Sequence, residues 1–183
     1  MTDSPANTPK AAFRPWPWTW LLLSTAVILA DWYTKQMATE LLELYRPQAV
    51  TSWLNMTLAH NYGAAFSFLC DAGGWQRWFF VVLASGVSLV LLVGLVRLPR
   101  REWLTGLSLG LVIGGAVGNL VDRVQLGYVV DFIDVHFKGW HYPAFNVADS
   151  AITVGVILLL IDGLFFSVAR NAAGEEKKGE ADS

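Results

Sequence analysis

The sequence predicts an all-α membrane fold, a four-transmembrane-helix bundle with a small sheet on its outer surface. Three observations point there. Of 183 residues, 54% are hydrophobic and only 15% are charged, well below the roughly 25% charged residues of soluble domains. The mean hydropathy is +0.43. Four stretches have the roughly 20 mostly apolar residues that a helix needs to cross the hydrocarbon core. Nine Trp residues add to this, since Trp favours membrane–water interfaces. Other classes drop out. Thirteen Lys and Arg against fifteen Asp and Glu give a net charge of −2, so there is no basic excess to bind nucleic acid. A lone cysteine, Cys70, makes no internal disulfide.

The first span starts at Trp16-Pro17-Trp18 and runs through LLLSTAVILA before meeting Asp31. Lys10 and Arg14 ahead of an apolar run also fit a cleavable leader. The run lacks a clean small-x-small cleavage site, however, and three further spans follow it, so an uncleaved first helix is expected. The second and third spans, Trp78 to Val96 and Trp103 to Val121, carry no charge. The fourth runs from about Val147 to Ala169 and contains Asp149 and Asp162. The expected organisation is an N-terminal tail over 1–15, a membrane domain over 16–170 and a C-terminal tail over 171–183. Met1 to Lys10 and Gly174 to Ser183 are polar and rich in small residues, as disordered segments are.

Lys and Arg near the span ends set the orientation. With both termini cytoplasmic, one side holds Lys10, Arg14, Arg97, Arg100, Arg101, Arg170, Lys177 and Lys178. The other holds Lys35, Arg46, Arg77, Arg123 and Lys138, spread over two longer loops. In span three, Gly106, Gly110, Gly114 and Gly118 recur every four residues and line one helix face. Such a face lets a neighbouring helix approach closely. It packs either within the chain or between chains, which leaves the oligomeric state open.

The first outer loop begins with TELLELY, an amphipathic continuation of the first helix that Pro47 breaks. VTSWLNMTLAHNYGAAFSFL follows, with β-branched and aromatic residues in strand-like alternation. Asn61-Tyr62-Gly63 is its tightest turn signal, and Asn61 reads either as a turn residue or as an amide aimed at a peptide backbone. The second outer loop and its flanks hold Asp122, Arg123, Asp131, Asp134, His136, Lys138 and His141. Two Asn-x-x-Asp elements flank it, Asn119 with Asp122 and Asn146 with Asp149. Residues three apart share a helix face, so each amide is placed to orient its own carboxylate. Spans three and four run antiparallel, which brings their outer ends to one depth. Ionisable groups at that depth are costly and usually functional. Asp122 beside Arg123 also reads as a paired helix-end acid, and Asp149 as an N-terminal acid favoured by the helix dipole. Asp162 lies about 20 Å further along, at 1.5 Å per residue, where a structural role is expected.

The chemistry follows by elimination. No His-Glu-x-x-His helix is present. His136 and His141 with Asp131 or Asp134 match no standard metal spacing, so neither metal nor cofactor is expected. Serine finds no Gly-x-Ser-Gly setting, and Cys70 has no base beside it. A pair of carboxylates remains. Two of them share a proton, one activating water while the other, neutral, polarises a carbonyl. By position Asp122, Asp131 and Asp134 all qualify as partner to Asp149. If YVVDFIDVHF is extended, Asp131 falls on a face with Val129, Ile133, Val135 and Phe137, and Asp134 on the face with His136 and Lys138. An apolar setting near a second acid favours retention of the shared proton, which selects Asp131; a helical loop would weaken that argument. A proton-coupled transporter is the rival reading, since carboxylates in helices also relay protons.

Five elements, Asp31-Trp-Tyr-Thr-Lys35, Asn61-Tyr-Gly-Ala-Ala-Phe-Ser67, Gly118-Asn-Leu-Val-Asp-Arg123, Val129-Val-Asp-Phe-Ile133 and Phe145-Asn-Val-Ala-Asp-Ser150, resemble those of bacterial lipoprotein signal peptidase (signal peptidase II), in family order. The resemblance implies an aspartic endopeptidase of the bacterial cytoplasmic (inner) membrane. Such an enzyme removes signal peptides from diacylglyceryl-modified prolipoproteins, cutting just before the modified cysteine at the outer leaflet. It implies Asp131 and Asp149 as the catalytic pair, with Asn61, Asn119, Arg123 and Asn146 supporting it or contacting substrate. Asp31, Lys35 and Asp122 are implied as structural or accessory. It further implies an extracytoplasmic β-cradle and a helix in the second outer loop. The implied partners are diacylated signal peptides and membrane phospholipids.

Overall fold

Glycine on one face of a helix lets another backbone come close, and that fixes the helix packing here. The computed structural model describes residues 16–63 and 75–167. After a 3₁₀ turn at Pro17–Thr19, α1 spans Trp20–Leu41, α2 Trp75–Arg97, α3 Trp103–Gln125 and α4 Val147–Ile161, the last continuing as a π-turn over Asp162–Ser167. Helix α3 is central and packs against the other three. Its glycine stripe faces α1: a Cβ on Gly110 would lie 2.9 Å from the Trp20 carbonyl, and one on Gly114 2.9 Å from that of Ser24. The stripe therefore packs within the chain, and the Ser24 hydroxyl seals the seam by donating to the Gly110 carbonyl at 2.7 Å. A second seam, unread in the sequence, joins α3 to α4. There Gly115 meets the Ala148 carbonyl, and a Cβ on Gly155 would lie 2.8 Å from the Ser108 carbonyl.

Among the described residues, α2, α3 and Val147–Phe165 are long and apolar enough to cross a membrane. Helix α2 turns much of its apolar surface outward, Val82 and Val90 each 70% exposed, as a lipid-facing surface does, while Leu95 is buried against α3. Helix α1 is as long, with 22 residues, but Asp31 and Lys35 lie inside it rather than beyond its end. Cys70, the residues after Gly63 in the Asn61–Ser67 element, and both tails lie outside the described residues.

The sheet is antiparallel in the order β1-β2-β3-β4, with β1 Gln48–Ala49, β2 Leu54–Asn61, β3 Val129–Phe137 and β4 Trp140–His141. Two expectations are corrected. TELLELY does not continue the helix to Tyr45: α1 ends at Leu41, and the Tyr45 N–H donates to the Leu58 carbonyl at 2.8 Å, committing this stretch to the sheet. The second outer loop contains no helix. Residues 129–137 form a continuous strand whose backbone is claimed by β2, β4 and Phe145. Lys138 and Gly139 both have positive φ, 49° and 84°, the two-residue hairpin turn that suits a twisted ladder. β-Branched and aromatic residues in alternation, closed by such a turn, leave no segment free to wind into a helix before α4.

Gly114→Ala places a methyl 2.8 Å from the Val27 Cβ and is expected to cost about 1–3 kcal/mol through overpacking. Gly86→Ala, with nothing within 4 Å, should be neutral or stabilise α2 by up to about 1 kcal/mol. Thermal unfolding of the detergent-solubilised variants checks both.

Candidate active site

The site is built where α3 ends, α4 begins and β3 passes between them. Asn146 is the N-cap of α4 and is fully buried. Its Oδ1 accepts from the Asp149 N–H at 2.9 Å, while Asp149 Oδ2 accepts from the Asn146 N–H at 3.3 Å. This reciprocal capping box satisfies two of the backbone donors left open at a helix start and sets a carboxylate where the helix dipole favours one. The expected partnership of Asn146 with Asp149 is therefore present. Asn146 does more, because its Nδ2 donates to Asp131 Oδ1 at 2.8 Å and lies 3.2 Å from Asn119 Oδ1. One residue thus bridges the two carboxylates, its carboxamide donating to Asp131 and its main-chain N–H to Asp149.

The other Asn-x-x-Asp element does not pair internally. Asn119 Nδ2 donates across to Asp149 Oδ1 at 2.7 Å. Asp122 turns instead to Lys35, 2.9 Å away, and its Oδ2 also accepts from the Val130 N–H at 3.1 Å. Asp122 does not pair with Arg123, because adjacent residues on a helix point in different directions. Lys35, 2% exposed, has an acceptor for each of its three N–H bonds: Asp31 at 2.6 Å, Asp122 at 2.9 Å and Asn119 Oδ1 at 3.1 Å. Asp31 in turn accepts from the Ala148 N–H at 2.9 Å. Arg123 donates to the Asn119 carbonyl at 3.3 Å, and its half-buried cation faces the charges of Asp149, Asp131 and Asp122.

Asp131 is reached by the extended strand that alternation predicted. It is 2% exposed and accepts from Asn61 Nδ2 at 2.9 Å on its second oxygen. That contact depends on an irregularity in β2. Asn55 pairs with Asp134, but the register shifts between Met56 and Ala59, so that Ala59 opposes Asp131 and Asn61 opposes Val129. In a regular strand Asn55 and Asn61 would point to one face. The bulge turns Asn61 to the face of Asp131 while Asn55 stays with Asp134. Asn61 is also a turn residue, its Oδ1 accepting from the Gly63 N–H at 2.9 Å; its amide is aimed at a carboxylate.

The two acids of β3 differ as their partners do. Burial, followed by the neighbouring Asp149 charge, pushes the Asp131 carboxyl up to about 7, against the hydrogen bonds from Asn61 and Asn146. For Asp134, burial acts in the same upward direction, but hydrogen bonds from Asn55 and His141 outweigh it and hold the group below its ordinary value. The His141–Asp134 contact is 2.8 Å, and the His136 ring stacks on His141 at 5.1 Å. Among the described residues no three His, Cys, Asp or Glu side chains gather as a ligand set, so Asp134 and the histidines are not joined by Asp131. Asn55 was not singled out in the sequence, because its place opposite Asp134 is set by the pairing of β2 with β3. The i,i+4 spacing of Asp31 and Lys35 was an available signal for their pairing. Asp162 sits at the far end of the bundle, accepting the Thr105 hydroxyl at 2.6 Å, the structural role expected of it.

With this geometry in hand, the comparisons are specific. The family model for signal peptidase (SPase) II matches residues 23–165. The chain belongs to the signal peptidase II family. A lipoprotein signal peptidase of Teredinibacter turnerae is 54% identical over 146 residues, covering 80% of this chain and 87% of the relative. One from Acinetobacter baumannii is 50% identical over 170 residues, 93% of this chain and 97% of the relative. A bacterial membrane enzyme solved by the in meso method superposes with a TM-score of 0.72 at 32% identity, over 81% of this chain and 94% of that one. The family gives a multi-pass membrane peptidase, and the transporter reading finds no support. Among the described residues the carboxylates cluster at one end of the bundle, and no chain of acids links them to Asp162.

A carboxyl that keeps its proton to about pH 7 when folded, but only to about 4 when unfolded, binds the extra proton in the folded state between those values. Stability therefore falls as pH rises from about 4 through about 7 and is level above. Relative to Asp131→Asn, which does not titrate there, the wild type is expected to lose up to about 4 kcal/mol across that window. Unfolding midpoints of both proteins between pH 5 and 8 test this; a constant gap would show that Asp131 titrates normally.

Proposed function

We propose that this chain is an aspartic endopeptidase of the bacterial inner membrane. It removes signal peptides from diacylglyceryl-modified prolipoproteins by cutting just before the lipid-modified cysteine. The observation that carries the catalytic type is the Asn146 bridge, whose buried carboxamide donates to Asp131 while its main-chain N–H donates to Asp149, with Asp131 retaining a proton near neutrality. In this reading Asp149 takes a proton from water as the oxygen attacks the scissile carbonyl. Asp131, protonated, donates a hydrogen bond to that carbonyl and stabilises the developing oxyanion. The proton then passes to the leaving amine as the C–N bond breaks, which restores one proton to the pair. Asn61 and Asn119 hold the outer oxygens of the two acids, and Arg123 offsets their charge. Asp31, Lys35 and Asp122 fix the frame.

The membrane topology is part of the same proposal. Helices α1 to α4 are four spans within a membrane peptidase domain of residues 16–170, with both termini cytoplasmic. Arg97, Arg100 and Arg101 crowd the α2–α3 connection, as cytoplasmic loops do. That orientation puts the ends of α1 and α3, the start of α4 and the sheet at the outer leaflet. A signal peptide is itself a membrane helix whose cleavage site emerges there, and acids at that depth meet the bond while the cysteine's acyl chains stay in phospholipid.

Cleavage of a diacylated lipopeptide by the purified protein, beside the same peptide without lipid, is the direct test, and only the lipidated form should be cut efficiently. Asp131→Asn and Asp149→Asn should each abolish turnover while the protein still folds and binds lipopeptide, whereas Asp134→Asn should keep substantial activity. EDTA should leave the rate unchanged. Near-normal turnover by well-folded Asp131→Asn would move the pair to Asp122 with Asp149, and loss with EDTA restored by zinc would revive a metal at His136 and His141.

A further inference from the structure

Helix α2 contributes none of the polar motifs above, yet its first two turns hold Arg123, a cation that faces both acids of the proposed pair. The Arg77 guanidinium spans the end of α3, Nε donating to the Arg123 carbonyl at 2.8 Å and Nη2 to that of Val124 at 2.6 Å. These are carbonyls of the last helical turn, which have no partner within the helix. One turn further along α2, the Phe80 ring carries the Arg123 guanidinium over its face, 5.2 Å from the ring centre, an arrangement the ring quadrupole favours. The same ring abuts Gly63, where no Cβ would fit because it would run into the ring edge. Gly63 closes the turn whose Asn61 holds Asp131.

We propose that Arg77 and Phe80 are positioning residues for the acid pair, Arg77 by holding the backbone that carries Arg123 and Phe80 by holding both the Arg123 guanidinium and the Asn61–Gly63 turn. This rests on the reading of Asp131 and Asp149 as catalytic. The charged groups around that pair are Lys35 and Asp31 of α1, Asp122 and Arg123 of α3, and Asp149 of α4 itself. Arg77 donates to main-chain oxygens and reaches neither acid directly, so its influence passes through Arg123. A cation held close favours the ionised carboxylate; one released to wander favours it less.

The test uses the full chain in detergent with a diacylated lipopeptide, comparing Arg77→Met, Arg77→Lys and Phe80→Leu with wild type. Arg77→Met is expected to lower kcat by about tenfold or more, since small misplacements of catalytic groups are costly, with KM little changed. The acid limb of its pH–rate profile should move up by about one unit. Arg77→Lys keeps the charge but not the two-carbonyl fork and should show much of the same shift. Phe80→Leu keeps apolar contact with Gly63 but not the ring face and should shift the profile in the same direction. A wild-type profile from Arg77→Lys beside a shifted one from Arg77→Met would make the effect long-range charge and overturn the proposal. So would a fall in kcat with no movement of the profile, which is what simple destabilisation gives. Asp131→Asn in the same series separates the two readings: if it is active, the catalytic pair is misassigned. If it is inactive beside an Arg77→Met enzyme of wild-type kcat and profile, only the positioning role fails.

Discussion

The buried ammonium of Lys35 is the constraint on which the rest of the structure turns. Taking a cation out of water costs several kcal/mol unless opposite charge and full hydrogen bonding replace the solvent. Lys35 has both, with two carboxylates and an amide oxygen taking its three N–H bonds. Each of those acceptors is itself committed to another element. Asp31 receives the Ala148 N–H at the start of α4, Asp122 receives the Val130 N–H of β3, and Asn119 donates to Asp149. One ion therefore sets α1, α3, α4 and the sheet relative to one another. The glycine stripe ends at the same place. A Cβ on Gly118 would lie 2.7 Å from Asp31 Oδ2, so the glycines that bring α1 and α3 together also make the room in which the ion pair forms.

Charge balance then shapes the chemistry. Asp31, Asp122, Asp131 and Asp149 meet two cations, Lys35 and Arg123. With every carboxyl ionised this cluster would carry two uncompensated negative charges in a largely buried setting. Retaining one proton halves that excess, and Asp131, buried beside Asp149 and paired only with neutral amides, is where the proton is held. The hydrogen-bond donors on the pair are three carboxamides and the Asn146 main-chain N–H, all neutral, which hold geometry without cancelling charge.

What was legible in the sequence follows from how far each periodicity reaches. The 3.6-residue repeat gave the glycine face of α3 and the partnership of Asn146 with Asp149, and the two-residue repeat gave the opposite facing of Asp131 and Asp134 on β3. Contacts between elements were not accessible in that way. Asn119 binds Asp149 rather than Asp122 because of the depth at which α3 and α4 meet, which no local spacing encodes. Asp122 chose Lys35 over its neighbour Arg123 for the same reason. The bulge in β2 leaves no compositional mark, although it decides which asparagine reaches which acid. The second outer loop was expected to hold a helix on the strength of family likeness, while its own residues already alternated as a strand.

Asp131 and Asp134 show how little separates a proton-holding acid from a structural one. They are on the same strand, both buried, and both receive an asparagine amide from β2. Burial alone would raise both. Asp134 faces His141, which gives it a hydrogen bond and positive charge whenever the ring is protonated; Asp131 faces Asp149, which adds negative charge. The alternation of a strand sends these two residues to opposite sides, so a sheet laid between a polar surface and a helix terminus makes two chemically different acids from one repeating backbone. The sheet's contribution to the site is thus electrostatic as well as steric. It sets one carboxylate beside a histidine and the other, more deeply desolvated, beside a second carboxylate, and burial together with that like charge is what keeps a proton available near neutral pH.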